Sequence, residues 1–170
     1  NIGNISTSFF FDENLNILKS NDDDVRIQYS TIGSILEFKI TDKNGNIYIL
    51  GGNEDFVEKN TMSQDCVVGP KTTYYSAWYL KEIITPNNQK ISFAYNSFQQ
   101  SFISSASYNE TYTSSCYSDG SFDRNPSSCR SINQTTSKAL SSIYFGNNKI
   151  VFDYRTDRKD EGSLLLSNIS

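Results

Sequence analysis

The chain has 170 residues, enough for one domain with a core of its own, and carries a formal net charge of -4. No window gathers Lys and Arg into a stripe that could follow phosphates, so nucleic acid is not an expected partner, and no apolar run approaches the roughly 20 residues that cross a bilayer. Histidine is absent and no two cysteines have a CxxC spacing, which excludes a zinc pattern and removes the commonest general base; no cofactor or catalytic residue is nominated.

Aromatic residues make up 14% of the chain, and Ser, Asn and Thr are abundant. These residue types favour strands and turns over helices. The expected fold is therefore all-β, with antiparallel sheets of successive β-hairpins and little helix.

In chain order, Asn1–Ser8 lacks the basic and apolar zones of a signal peptide, so an exported parent protein would carry its signal elsewhere. Ile5–Phe11, Leu15–Leu18 and Val25–Tyr29 read as short strands separated by acidic and amide turns. The cluster Asp22, Asp23, Asp24 offers oxygen ligands of the kind calcium takes, although it lacks the glycine and distal Glu of a helix-loop-helix site, and such clusters are usually solvated turns.

Residues 36–50 form the first of three similar units. Asn44-Gly45 suggests a type I′ turn, and Phe38, Ile40, Ile47 and Ile49 alternate with polar or mixed residues on either side. Gly51–Pro70 is less regular and reads as a loop with a fragment of structure. Thr72–Leu80 is an aromatic strand in which Trp78, Tyr74 and Tyr75 are candidates for stacking on sugar rings.

The second unit, 80–95, turns at Thr85-Pro86-Asn87-Asn88 and returns through Ile91, Phe93 and Tyr95; the third, 140–154, returns through Ile150, Phe152 and Tyr154 with a turn one residue shorter. Between them, 96–138 is a Ser-, Thr-, Asn- and Gln-rich insertion, expected to be stranded from Ser101 to Tyr108 and looped beyond Thr113. Cys116 and Cys129 are the candidate disulfide on local spacing, leaving Cys66 as the odd thiol. Residues 164–170 repeat the opening of a unit, so an array of further units is expected to follow.

The segments Trp78–Leu80, Ile91–Tyr95, Ala139–Ile143 and Ile150–Arg155 together resemble the RHS or YD-repeat proteins of Bacteroidetes type, in the region that precedes or begins their repeat array. The chain departs from the short Tyr-Asp repeat in its long spacers and in the reversed Asp153-Tyr154. The resemblance implies a curled sheet or sandwich in a secreted or cell-surface protein, a non-catalytic scaffold that encloses or presents a C-terminal effector. Its partners would be neighbouring repeats of the same chain, with no membrane span in this segment. The alternative expectation is a carbohydrate-binding or adhesive surface module that holds glycans on exposed aromatics.

Overall fold

The computed structural model describes residues 7–21, 24–66, 71–114, 122–157 and 164–170. The fold is all-β and antiparallel throughout. Strands β1 (Phe9–Phe11) and β2 (Ile17–Lys19) form a small separate hairpin. The remaining strands are β3 (Arg26–Ile32), β4 (Ile35–Thr41), β5 (Ile47–Gly51), β6 (Val57–Gln64), β7 (Thr72–Trp78), β8 (Leu80–Ile84), β9 (Lys90–Ser114), β10 (Phe122–Phe145), β11 (Asn148–Arg155) and β12 (Leu165–Ile169), and they make one ten-stranded sheet. Its main path runs β12-β11-β10-β9-β8-β5-β4-β3 and is open at both ends, while β6 and β7 branch from the middle of β10. Among the described residues no helix is long and apolar enough to cross a membrane.

The three units expected at 36–50, 80–95 and 140–154 are the hairpins β4-β5, β8-β9 and β10-β11, and they lie side by side along the path. Their turns differ from expectation in one respect. A type I′ turn requires positive φ at both central residues, whereas Gly45 is at +81° and Asn44 is not left-handed. Gly45 N–H instead donates to Asp42 O and Asp42 N–H to Asn46 O, both at 3.0 Å, a three-residue loop in which the glycine supplies a bulge. Asp42 Oδ1 accepts from the backbone N–H groups of Asn44 and Asn46, each at 2.9 Å, and Oδ2 from the Asn46 amide at 2.8 Å. Asp12–Asn16 repeats the same side-chain pinch, with Leu15 in the left-handed position.

The Thr85–Gln89 turn shares the backbone pattern, with Asn88 left-handed. The third unit turns instead on Gly146-Asn147, where positive φ falls on the glycine alone, as in a two-residue type II′ turn. That difference accounts for the one-residue offset between the second and third units.

Two stretches hold more strand than expected, although the strand expected from Ser101 to Tyr108 is present within β9. Within Gly51–Pro70, a 3-10 turn at Glu54–Phe56 leads into β6, which pairs with β10 on one edge and β7 on the other. The insertion 96–138 belongs to β9 and β10, whose pairing runs continuously from Ile91↔Phe145 to Ser114↔Phe122 apart from two register shifts. Beyond Arg130 and Cys129, which are still tied to Asp65 and Cys66, these strands pair with each other alone among the described residues, as a two-stranded arm.

Among the described residues the buried apolar side chains are Ile35, Phe38, Ile40 and Val57, the last of them fully buried, so the core gathers where β4, β6 and β7 meet. The Phe38 ring takes Trp78 edge-on at 5.3 Å and Phe9 of the small hairpin at 5.6 Å. Gly51, at φ +76°, lies directly beneath Trp78, with its N–H donating to Tyr79 O at 3.0 Å. Residues directly opposite in an antiparallel ladder share a face, so the pairs Ile83↔Ile91, Ile91↔Phe145, Phe93↔Ile143, Ile143↔Ile150 and Phe152↔Ile169 trace one apolar side from β8 to β12.

Candidate functional site

The branch strand β6 brings chemically capable side chains together. Its pairing with β7 skips one residue between Ala77 and Tyr75, a bulge that leaves Ser76 beside Glu58 and Asn60. Glu58 Oε1 accepts from Ser76 Oγ at 2.6 Å, while Oε2 accepts from Ser137 Oγ at 2.7 Å and from the Tyr79 hydroxyl at 3.3 Å. Asn60, itself buried, donates to Ser76 Oγ at 2.6 Å and accepts from Thr135 Oγ1 at 2.6 Å. The seam therefore ties β7, β6 and β10 across their shared ladder.

The Ser76 hydroxyl, then that of Ser137, holds the Glu58 carboxyl below its ordinary pKa, against the opposing effect of burial. A carboxylate saturated in this way is a poor base, and the two serine hydroxyls that reach it are committed as donors. This arrangement is a polar strut, not a nucleophile and base poised for attack.

A second feature is an apolar cleft of about 380 Å³ between the small hairpin and β4, walled by Phe9, Phe11, Phe38, Ile40, Leu50 and Trp78. The Trp78 indole nitrogen is buried there without a hydrogen-bond partner. The three stacking candidates do not form one platform. Tyr74 stands opposite Asn60 and Tyr75 opposite Lys59, so adjacent positions put them on opposite faces of β7. Trp78 packs against Phe38, and the Tyr75 hydroxyl donates to Glu54 at 3.0 Å. Of the calcium candidates, Asp22 and Asp23 lie outside the described residues and Asp24 is exposed at the bend before β3.

The disulfide expectation is corrected. Cys129 is bonded to Cys66, with Cα atoms 5.0 Å apart, and Cys116 lies outside the described residues. Local spacing favoured the nearer thiol, but the antiparallel pairing of β6 with β10 carries Cys66 to Cys129 across 63 positions. Beside the bridge, Asp65 Oδ1 accepts from the Arg130 backbone N–H and Oδ2 from Arg130 Nε, both at 2.7 Å. These bonds, the backbone one foremost, hold the Asp65 carboxyl below its ordinary pKa. Asp65, Cys66 and Cys129 converge closely enough to resemble a ligand set, but with the sulfurs joined and the carboxylate engaged they form a clamp at the base of the arm.

Sequence reasoning missed Glu58, Asn60 and Asp65. Their only signal was polar residues at alternate positions of a strand that has no apolar face to announce it. No family model matches the chain, and no curated protein or solved structure matches it either.

Proposed function

We propose that this chain is a non-catalytic structural and interaction module of a larger exported or cell-surface protein, a sheet scaffold of the RHS/YD-repeat kind that encloses or presents a C-terminal effector. The observation that carries this reading is the apolar side of the sheet, over which no other described residues form a covering layer toward β12. Phe145, Leu166 and Ile169 are 41%, 45% and 57% exposed on that side, although they continue the row begun by Ile83 and Ile91. Such an exposed row fits a single-layer wall that gains its second layer from neighbouring units, as in arrays whose repeats cannot bury their faces alone.

The saturated Glu58 seam favours architecture over catalysis, because its groups hold strands together and leave no activated atom facing solvent. The Cys66–Cys129 bridge is in keeping with an oxidising compartment. The deciding experiment is hydrogen exchange at the β11 and β12 amides, measured on this chain alone and within the longer protein. Strong added protection in the longer protein supports the scaffold; equal exchange in both would sink it.

A further inference from the structure

Three turns of the molecule share one backbone pattern. In Asp12–Asn16, Asp42–Asn46 and Thr85–Gln89 the first N–H donates to the fifth carbonyl, and the fourth N–H donates to the first carbonyl. The third residue is asparagine in each: Asn14, Asn44 and Asn87. The fourth, left-handed in each, is Leu15, Gly45 or Asn88. That fourth residue decides the chemistry open to the asparagine, because its backbone nitrogen can close a five-membered ring on the side-chain carbonyl carbon before it. A side chain on the fourth residue obstructs the closure and glycine does not. Asn44-Gly45 is the one Asn-Gly pair in the sequence, and the Asn44 side chain is exposed.

The folded loop withholds the attacking atom. Gly45 N–H donates to Asp42 O at 3.0 Å, which holds its proton and fixes its peptide plane. Asp42 Oδ1 pins the backbone N–H groups of Asn44 and Asn46, one on each side of Gly45, at 2.9 Å, and Oδ2 is itself steadied by the Tyr48 hydroxyl at 3.2 Å. Ring closure requires the peptide between Asn44 and Gly45 to rotate, and that rotation breaks these bonds.

We propose that Asn44 is a site of spontaneous deamidation that Asp42 keeps shut in the folded chain. When the loop opens, base takes the Gly45 N–H proton and the nitrogen bonds to Asn44 Cγ; the Cγ–Nδ2 bond breaks, and Nδ2 leaves as ammonia with a proton from water. A second water opens the cyclic imide at either carbonyl, which leaves aspartate or isoaspartate at position 44. In sum an amide and water become a carboxylate and ammonium, with nothing oxidised or reduced. The isoaspartyl product routes the backbone through one more carbon, so the bonds of the loop cannot all re-form. Opening of the β4-β5 hairpin, which carries the buried Phe38 and Ile40, is thereby made permanent. The site lies in a turn and is independent of the scaffold reading.

Peptide mapping by mass spectrometry, after incubation in warm, mildly alkaline buffer, tests it on the native chain, the chain in urea and variants whose fold is checked by thermal melting. In urea Asn44 should convert ahead of Asn14 and Asn87. In the native chain it should convert at least about tenfold more slowly, since hydrogen bonds to a carboxylate must open first. Asp42→Ala should recover most of that difference while still melting cooperatively; Asp42→Ser, which retains a single acceptor, should fall between and serves where Asp42→Ala does not fold. Asp12→Ala, which opens the other pinched loop, should leave Asn44 at its native rate. Equal rates in the native chain and in urea, folded Asp42 variants as slow as wild type, equal acceleration by Asp12→Ala, or faster conversion of Asn14 or Asn87 in urea would each overturn the proposal.

Discussion

Glu58 accepts a hydrogen bond from Ser137 at 2.7 Å across 79 positions of sequence, and it is through this carboxylate that β7 and β10 are both tied to the branch strand. Removing it leaves the hydroxyls of Ser76, Ser137 and Tyr79 facing a space without an acceptor. Glu58→Ala is expected to cost about 2 kcal/mol, the penalty of stranding partly buried donors. Urea unfolding followed by Trp78 fluorescence measures it, and Glu58→Gln, which keeps an acceptor, should lose less.

The same carboxylate sets an acid limit. Glu58, Asp65, Asp42 and Asp12 all have folded pKa values lowered by hydrogen bonds, with burial the first influence on Asp42 but outweighed by its bonds to Asn46, Asn44 and Tyr48. Between the folded and unfolded pKa of each group the folded chain holds fewer protons, so stability is complete above the unfolded value and falls as pH drops through the folded one. Unfolding midpoints should be flat from neutral pH to about pH 5 and decline below about pH 4. Glu58→Gln should make that decline shallower, and an unchanged slope would remove Glu58 from the account.

The hairpins were legible because their strands have one apolar side and one mixed side, as in Ile91, Phe93 and Tyr95 or Ile150, Phe152 and Tyr154, and because their turns carry Asn or Gly. Of the arm, Ser101–Tyr108 was legible as strand, whereas its β10 side was not: Pro126, Ser127 and Ser128 are all exposed, so no alternation of burial exists there to leave its mark on residue choice. Strand β6 was hidden by the seam, since its inward-turned Glu58 and Asn60 are as polar as loop residues. The turn at Asn44-Gly45 misled because the Asp42 carboxylate, engaging Asn44 and Asn46, favours the longer loop over the shorter type I′ turn.

Gly51 supports a sharp contrast among glycines. At φ +76° an L residue is already strained, and an added Cβ would overlap the Trp78 ring and the Leu36 carbonyl oxygen. Gly146, at φ +55°, would meet nothing within 4 Å. Gly146→Ala should therefore cost about 1 kcal/mol from backbone strain, and Gly51→Ala about 3 kcal/mol because Trp78 must also move. Chemical denaturation of both variants checks the order; equal losses would mean that the contact with Trp78 is slack.

The bridge is testable by chemistry and by energy. Non-reducing peptide mapping should recover Cys66 linked to Cys129, with Cys116 alkylated in the unfolded chain. Closing a loop of 63 positions constrains the unfolded chain by about 4 kcal/mol on loop-entropy grounds. Cys66→Ser should lower stability by up to that amount and should loosen the base of the arm first, seen as faster exchange at Ser105–Asn109 than in the hairpin β4-β5.

Tyr95 fixes the alkaline limit. Its ring packs edge-on to Phe56 at 5.9 Å and against Tyr79 at 5.3 Å, and its hydroxyl donates to Leu80 O at 2.8 Å. Burial, and then the neighbouring Tyr79, pushes its pKa up to about 12. Above the ordinary tyrosine value near 10 the unfolded chain gives up this proton while the folded chain keeps it, so stability falls as pH climbs from about 10 to about 12. Tyr95→Phe gives up one hydrogen bond, about 1 kcal/mol at neutral pH, and in exchange removes this part of the alkaline loss. Thermal melts of both proteins at pH 7 and pH 11 should show the gap between them narrowing at the higher pH. A gap that stays constant would mean that Tyr95 ionises as freely in the folded chain as in the unfolded one.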